Sequence, residues 1–226
     1  LTDVTGVQTC ALPIYPAIVC GFGTVGGEQV MIIGQQKGRD TKQKLHRNFG
    51  MPKPEGYRKA MRAMELASKF GRPIVTLLDT PGAYPGIDAE ERGQAQAIAL
   101  NLREMARIES PLIVIVIGEG GSGGALALGI GNRVYMVEKS VYSVISPESY
   151  AASIYRDASK GDGAAAALKI TASDLSKLGL VDGIIPEPPG GAQEDHDRAA
   201  EFLQTALLAA IRELKGMTAE QLVDQR

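Results

Sequence analysis

Two cysteines and two histidines are the only thiolate and imidazole ligands in this 226-residue chain. Cys10 and Cys20 form no CxxC pair, and no histidine stands at ligand spacing. The chain therefore cannot build a structural zinc site by itself, and a disulfide scaffold is not expected. Long apolar runs are also missing. The longest beyond Cys20, Pro111 to Ile117, has the length of a buried strand and is too short to span a bilayer. No basic stretch precedes an apolar one at the start, where Pro13 and Pro16 interrupt a mildly apolar segment, so no signal peptide is read. Nor does charge of one sign dominate. A formal net charge of -2 gives no bulk attraction to nucleic acid or anionic lipid, and any basic feature must be local. These absences together lead to the expectation of a soluble, cytoplasmic protein that binds no metal, no membrane and no nucleic acid.

What is present has the balance of a globular α/β domain, with 44% hydrophobic and 22% charged residues and enough length to bury a sizeable core. Residues 3–14, DVTGVQTCALPI, read like the translation of a common sequencing adapter and are set aside from fold reasoning. Residues 1–14 are thus expected to be an artefact or a disordered arm, with one domain over 15–226 and a natural chain that continues toward its N-terminus. From Tyr15 onward, short β-rich runs alternate with helical patterns. VMIIG (30–34), PIVTLLD (73–79) and LIVIVIG (112–118) read as strands, the last two buried. PEGYRKAMRAMELASKFG repeats apolar residues at Tyr57, Ala60, Met61, Met64 and Ala67, with Gly71 placed to end a helix. Asp88 with Glu91 reads as the cap of a further helix, whose buried stripe is Ala95, Ile98, Ala99, Leu102, Met105 and Ala106. ALALGI is expected to be a short helix, RVYMVEK and VYSVIS strands, and PESYAASIYRD a helix. ITASDLSKLGLVDGIIPEP reads helix, turn, strand. The segment 196–216, starting at His196, forms a long amphipathic helix. No fixed-period repeat or low-complexity tract is present.

The string GEGGSGGA, Gly118 to Ala125, carries five glycines in eight residues where a buried strand meets a helix. Glycine there permits a sharp turn and a close approach of ligand to main chain, and free N–H groups in a first helical turn can receive an anion. A phosphate cradle is weak, since the lysine of GxxxxGK[ST] is missing. A nucleophile elbow fits GxSxG literally, with Ser122 as nucleophile, but its base would have to be His46, in a basic loop, or His196, at an acidic helix start. An oxyanion hole built from the amides of Gly123 and Gly124 is the third function. A tight turn where the helix packs closely on the sheet is the structural alternative.

Several long motifs, in order and almost without gaps, carry a resemblance. TPGAYPGIDAEERGQAQAIALNLREM, VIGEGGSGGALALGIGNRV, YSVISPESYAASI and MIIGQQKGRDTKQKLHRNFGMPKPEGYRKA resemble the alpha-subunit family of the acetyl-CoA carboxylase carboxyltransferases, from about Ala17 to Gly191. LGLVDGIIPEP resembles the crotonase superfamily, whose fold is a spiral of ββα units. The resemblance implies transfer of a carboxyl group from carboxybiotin, held on a biotin carboxyl carrier protein, to acetyl-CoA. The product would be malonyl-CoA, in the first committed step of fatty acid synthesis within an ATP-dependent complex. It implies a beta subunit of the same fold that carries the zinc, an alpha2beta2 assembly, a biotin carboxylase, and no covalently bound cofactor. The family's backbone oxyanion pair falls on Gly123 and Gly124, where the biotin ureido oxygen is favoured over the thioester oxygen. Gly120, Gly121, Ser122, Gly82 and Tyr84 are the expected substrate-binding residues. On this mechanism Ser122→Ala is tolerated and Gly123→Val is not. Compared with the family, a first helical region is missing and the C-terminus is expected to be cut short.

Two other functions remain as alternatives, a serine hydrolase with a fold like the Clp peptidase and a non-catalytic acyl-CoA-binding subunit. The segment 37–62 is strongly basic, with Lys37, Arg39, Lys42, Lys44, Arg47, Lys53, Arg58, Lys59 and Arg62 set against Asp40 and Glu55. It could meet CoA phosphates or an acidic partner, and such a run is more often a solvated face.

Overall fold

Strands buried on both faces are apolar along nearly their whole length, and two such segments, 73–79 and 112–118, occupy the middle of one sheet. The computed structural model describes residues 15–226 together with the backbone of Gln8 and Thr9. Its strands are β1 (Gln8–Thr9), β2 (Ile18–Val25), β3 (Glu28–Gln35), β4 (Ile74–Thr80), β5 (Leu112–Gly121), β6 (Arg133–Val137), β7 (Val141–Ser143) and β8 (Gly183–Ile185). Its helices are α1 (Thr41–His46), α2 (Pro54–Lys69), α3 (Ile87–Glu91), α4 (Gln94–Met105), α5 (Ser122–Leu126), α6 (Pro147–Ile154), α7 (Gly161–Leu168), α8 (Ala172–Lys177), α9 (His196–Leu214) and α10 (Ala219–Asp224). None of the helices is long and apolar enough to cross a membrane among the described residues. The adapter reading of residues 3–14 lies outside the described residues, except that Gln8 and Thr9 pair with Phe22 and Gly21 of β2.

The sheet runs β1-β2-β3-β4-β5-β6-β8, with β7 added to the far end of β5. β1, β2 and β3 are antiparallel, and every pairing from β3 onward is parallel. Gly26 and Gly27, both at positive φ, turn β2 into β3 in a two-residue hairpin. Side chains of the central strands alternate between two layers. Ile74, Leu78, Leu112, Val114 and Val116 pack toward α2, α4, α5 and α8. Val75, Leu77, Ile113 and Ile115 pack toward α9 and α10, through Leu207, Ile211, Leu214 and Leu222.

The expected helix α2 forms on its expected face, with Tyr57, Ala60, Met61, Met64 and Ala67 all buried. It closes as read from the sequence: Gly71 takes φ +60°, its N–H bonds the Ser68 carbonyl, and the Arg72 N–H bonds Ala67. The helix expected from Asp88 is corrected. Gly93, at φ +81°, breaks it into α3 and α4, and Asp88 pairs with Lys53 and Arg92 instead of capping. The buried face of α4 is Gln94, Ala97, Asn101 and Met105, while Ala95 and Ala99 are exposed. Hydrophobicity misplaced that stripe because Gln94 and Asn101 are buried for their hydrogen bonds: Gln94 to the carbonyls of Pro52 and Tyr84, Asn101 to those of Tyr57 and Ala127. β5 also runs on to Gly121, so α5 starts at Ser122 rather than Ala125.

Candidate functional site

Strands β3, β4 and β5 are parallel and end on one edge of the sheet, where ligands of open α/β sheets bind. Beyond Leu78–Val116 the register of β4 and β5 shifts, so that Thr80 pairs with Gly120. The extra length of β5 carries GEGGSGG over the end of β4 and onto the TPGAYPG loop. Contact between the two loops is main chain on main chain. A β-carbon at Gly121 would lie 2.1 Å from the Pro81 carbonyl oxygen, and one at Gly124 would lie 2.2 Å from the Gly82 carbonyl carbon. At Gly120 it would lie 2.7 Å from the ring of Tyr142. Gly123 differs. Its φ is not in the left-handed region, and a β-carbon there would meet nothing closer than Ile98 at 3.7 Å. A β-carbon is therefore excluded by main-chain contact at 121 and 124 but not at 123.

Between these glycines, Ser122 adopts φ +51°, the left-handed region that a side chain enters at a cost of roughly 1–2 kcal/mol. This bend turns the extended Gly121 into the first turn of α5. No side chain caps that turn, and the N–H groups of Gly123 and Gly124 precede its first intrahelical bond. With only five residues, α5 contributes little dipole, so any anion held here is held by those two N–H groups. Ser122 is exposed, and neither His46 nor His196 bonds to it among the described residues. His196 begins α9, in the layer across the sheet from α5.

The Gly124 carbonyl in this turn, and the Ala127 and Leu128 carbonyls beyond the end of α5, accept hydrogen bonds from buried polar side chains that sequence reading did not assign to the site. Gln35 Nε2 donates to the Gly124 carbonyl at 2.9 Å, and Gln35 Oε1 accepts from the Asp79 N–H at 3.1 Å. Thr76 Oγ1 donates to Leu128 at 2.9 Å, and Asn101 Nδ2 donates to Ala127 at 3.2 Å. The Tyr57 hydroxyl lies 3.5 Å from the Gly124 carbonyl, at the outer limit of a hydrogen bond, and burial raises its pKa. The available signal was a polar residue inside an otherwise apolar run, as at Thr76, or on an otherwise apolar helix face, as at Asn101.

Charge gathers beside the turn. Lys37 Nζ lies 2.9 Å from Asp79 and 2.8 Å from Glu119, and Asp79 Oδ1 also accepts the Glu119 N–H. Burial alone would lower the Lys37 pKa, but the hydrogen bonds to Glu119 and Asp79 outweigh it and hold the pKa above its usual value. Of the other expected site residues, Gly82 lies buried against Gly124. Thr80 Oγ1 fixes that loop by donating to the Gly82 carbonyl and accepting its N–H. The Tyr84 ring is held by Lys53, 4.6 Å from its centroid, and by the close approach of Gly86. No cluster of three or more His, Cys, Asp or Glu side chains that could hold a metal ion occurs among the described residues.

A family model described as acetyl co-enzyme A carboxylase carboxyltransferase-like matches residues 14–226. The chain is 60% identical over 210 residues to the acetyl-coenzyme A carboxylase carboxyl transferase subunit alpha of Geobacter sulfurreducens, covering 93% of this chain and 66% of that protein. It is 57% identical over 211 residues to the subunit of the same name from Thermus thermophilus, covering 93% of this chain and 68% of that protein. The chain thus spans about two thirds of the length of the relatives it matches. Among solved structures it is similar in fold to transcarboxylase 12S, with a TM-score of 0.73 at 21% identity over 89% of this chain and 37% of the other. It is likewise similar to the Pseudomonas malonate decarboxylase MdcD-MdcE hetero-dimer, with a TM-score of 0.71 at 19% identity over 92% of this chain and 86% of the other.

Proposed function

The chain belongs to the acetyl-CoA carboxylase carboxyltransferase family, and from that premise we propose that it is the catalytic part of an alpha subunit that moves a carboxyl group from carboxybiotin to acetyl-CoA, giving malonyl-CoA. The observation that carries this reading is the pair of N–H groups at Gly123 and Gly124, uncapped in the first turn of α5. Two such donors stabilise negative charge as it develops on a carbonyl-type oxygen, and loss of one donor typically slows catalysis by about 100-fold to 1000-fold. We assign this pair to the ureido oxygen of biotin. When the carboxyl group departs, its N–C bond electrons remain on the ureido group, which the amides stabilise and which can take a proton from the acetyl methyl group. The methyl carbon then attacks the carboxyl carbon. Orientation and charge stabilisation are all that this step asks of the protein, so no side-chain nucleophile is required.

Gly120, Gly121, Ser122 and Gly82 form the main-chain wall of the pocket in this reading, and Tyr84 stands at its rim. The thioester oxygen is assigned to a matching amide pair on a beta subunit. That subunit would carry the zinc and complete an alpha2beta2 assembly, served by a biotin carboxyl carrier protein and a biotin carboxylase in the cytoplasm. The chain as a single domain over 15–226 is part of the same proposal.

The test is carboxyl exchange between malonyl-CoA and biotin. The chain alone is expected to show negligible exchange, and the full-length alpha subunit with its beta subunit is expected to restore it. Robust exchange by the pure alpha chain would overturn the divided site, and fluorophosphonate labelling of Ser122 would favour a hydrolase.

A further inference from the structure

We propose that Gln35 is the positioning residue of the Gly123–Gly124 amide pair, acting from beneath the turn through the Gly124 carbonyl. The proposal rests on the carboxyltransferase reading above. Two consecutive glycines have the widest backbone freedom in the chain, and a five-residue helix does not hold its own geometry. Something outside the turn must fix it. In a continuing α-helix the Gly124 carbonyl would accept from the N–H of Leu128. Here Leu128 turns its N–H to Ala125 instead, at 3.0 Å, and leaves the Gly124 carbonyl without a helical partner in a buried place. An unpaired buried carbonyl is costly, and Gln35 fills the vacancy at 2.9 Å.

The side chain of Gln35 is suited to this and to little else. It is the last residue of β3 and only 5% exposed, so its amide is turned to protein partners rather than to solvent. Both ends of its amide are used, the donor on Gly124 and the acceptor on the Asp79 N–H at 3.1 Å. The reverse orientation would set carbonyl against carbonyl and N–H against N–H, so the amide has one satisfied state. It thereby locks the end of β4, where the TPGAYPG loop begins, to the residue whose N–H is half of the anion-binding pair. The other ties differ in reach. Thr76 and Asn101 hold Leu128 and Ala127, downstream of the amides, and Tyr57 approaches Gly124 only at 3.5 Å.

The experiment compares Gln35→Met, Gln35→Glu and Thr76→Val in the full-length alpha subunit assembled with its beta subunit, with malonyl-CoA and free biotin as probes. Gln35→Met keeps the approximate volume and removes both hydrogen bonds. Its kcat is expected to fall up to about 100-fold, the scale on which a small misplacement of catalytic groups acts, with KM for malonyl-CoA little changed. In Gln35→Glu a protonated carboxyl can still donate to Gly124 and accept from Asp79, whereas the carboxylate can only accept. Its kcat is therefore expected to recover as pH is lowered through the pKa of the buried carboxyl, against the parental pH profile for Gln35→Met. Thr76→Val, which removes a buried tie of the same kind, is expected to lower the melting temperature while kcat stays near the parent's. Parental kcat in Gln35→Met overturns the proposal, as does an equal loss of kcat in Thr76→Val. If Gln35→Met does not fold, the pH recovery of Gln35→Glu decides, and its absence overturns the proposal. If the parent complex exchanges no carboxyl group, the functional reading fails separately. Amide hydrogen exchange over 118–128 then decides the positioning role: faster exchange in either Gln35 variant supports it, and unchanged exchange overturns it.

Discussion

A β-carbon placed on Gly124 would overlap the backbone of the TPGAYPG loop, and the atoms it meets, the Gly82 carbonyl and the Ala83 nitrogen at 2.4 Å, cannot rotate away. Gly124→Ala is therefore expected to destabilise the chain by about 1–3 kcal/mol, as overpacking does, and to push the two loops apart. Gly123→Ala meets only the Ile98 side chain at ordinary contact distance and is expected to melt within about 0.5 kcal/mol of the parent. Thermal melts of the two variants side by side check this, and equal losses would show that the loops do not press on each other at Gly124. Ser122→Ala keeps a β-carbon in the same left-handed conformation and removes only an exposed hydroxyl that has no hydrogen-bond partner among the described residues. Carboxyl exchange by the assembled variant is expected to stay within severalfold of the parent. An elbow serine would instead lose activity by several orders of magnitude, because its Oγ would be the nucleophile.

At the scale of elements, α4 packs on α2 and α5 through a face that is half polar, and its stability contribution lies in hydrogen bonds as much as in area. Asn101 is 1% exposed and bonds carbonyls of both neighbours, Tyr57 in α2 and Ala127 at the end of α5. Asn101→Ala leaves two buried carbonyls without that donor and is expected to cost about 1–3 kcal/mol. A lowered denaturation midpoint at unchanged slope is the expected result, and an unchanged midpoint would mean that water or a backbone shift replaces the donor. The segment from β2 to β3 shows how a short-range signal fixes an element. Gly26 and Gly27 stand between two β-rich runs, a pairing that dictates a tight hairpin. That hairpin was legible and went unread, as did α1, α7 and α10. Each of these helices is short, and α1 buries no residue, so it leaves no apolar period in the sequence.

For the molecule as a whole, acid sensitivity follows from the ion pairs that join α2 to α3 and its flank. Burial would raise the Glu55 pKa, but its hydrogen bond to Arg92, a backbone hydrogen bond and the charges of Arg92 and Arg58 together outweigh this and hold the carboxyl below its usual value. The hydrogen bond from Lys53 likewise lowers the Asp88 pKa. A carboxylate depressed in the folded state contributes stability that is fully present above its unfolded pKa, about 4, and is lost as pH falls through the folded value. The melting temperature of Arg92→Met is therefore expected to lie below the parent's at neutral pH and to converge with it as acid protonates Glu55 and Asp88 in the folded state, below the ordinary carboxylate pKa of about 4. A gap that persists unchanged into acid would sink this assignment. The effect should be modest, since Arg92 and Asp88 are solvent-exposed and screened by salt.

The sequence by itself determined the buried strands, because a strand covered on both faces is apolar at nearly every position, and it determined α2, whose period and glycine stop are local. It also located the turn at Gly118 to Ala125, because glycine concentrated between a strand and a helix has few other uses. It placed the chain in its family through motifs whose order and spacing no single turn could imitate. Only the tertiary structure decided which glycines are obligatory, since that depends on a loop some forty residues earlier in the chain pressing on Gly121 and Gly124 but not on Gly123. The roles of Gln35, Thr76 and Asn101 were settled in the same way. Each is tied to a carbonyl at least 26 residues away, across the fold, and hydrophobic patterning scores a buried polar residue as a surface one until its partner is in place.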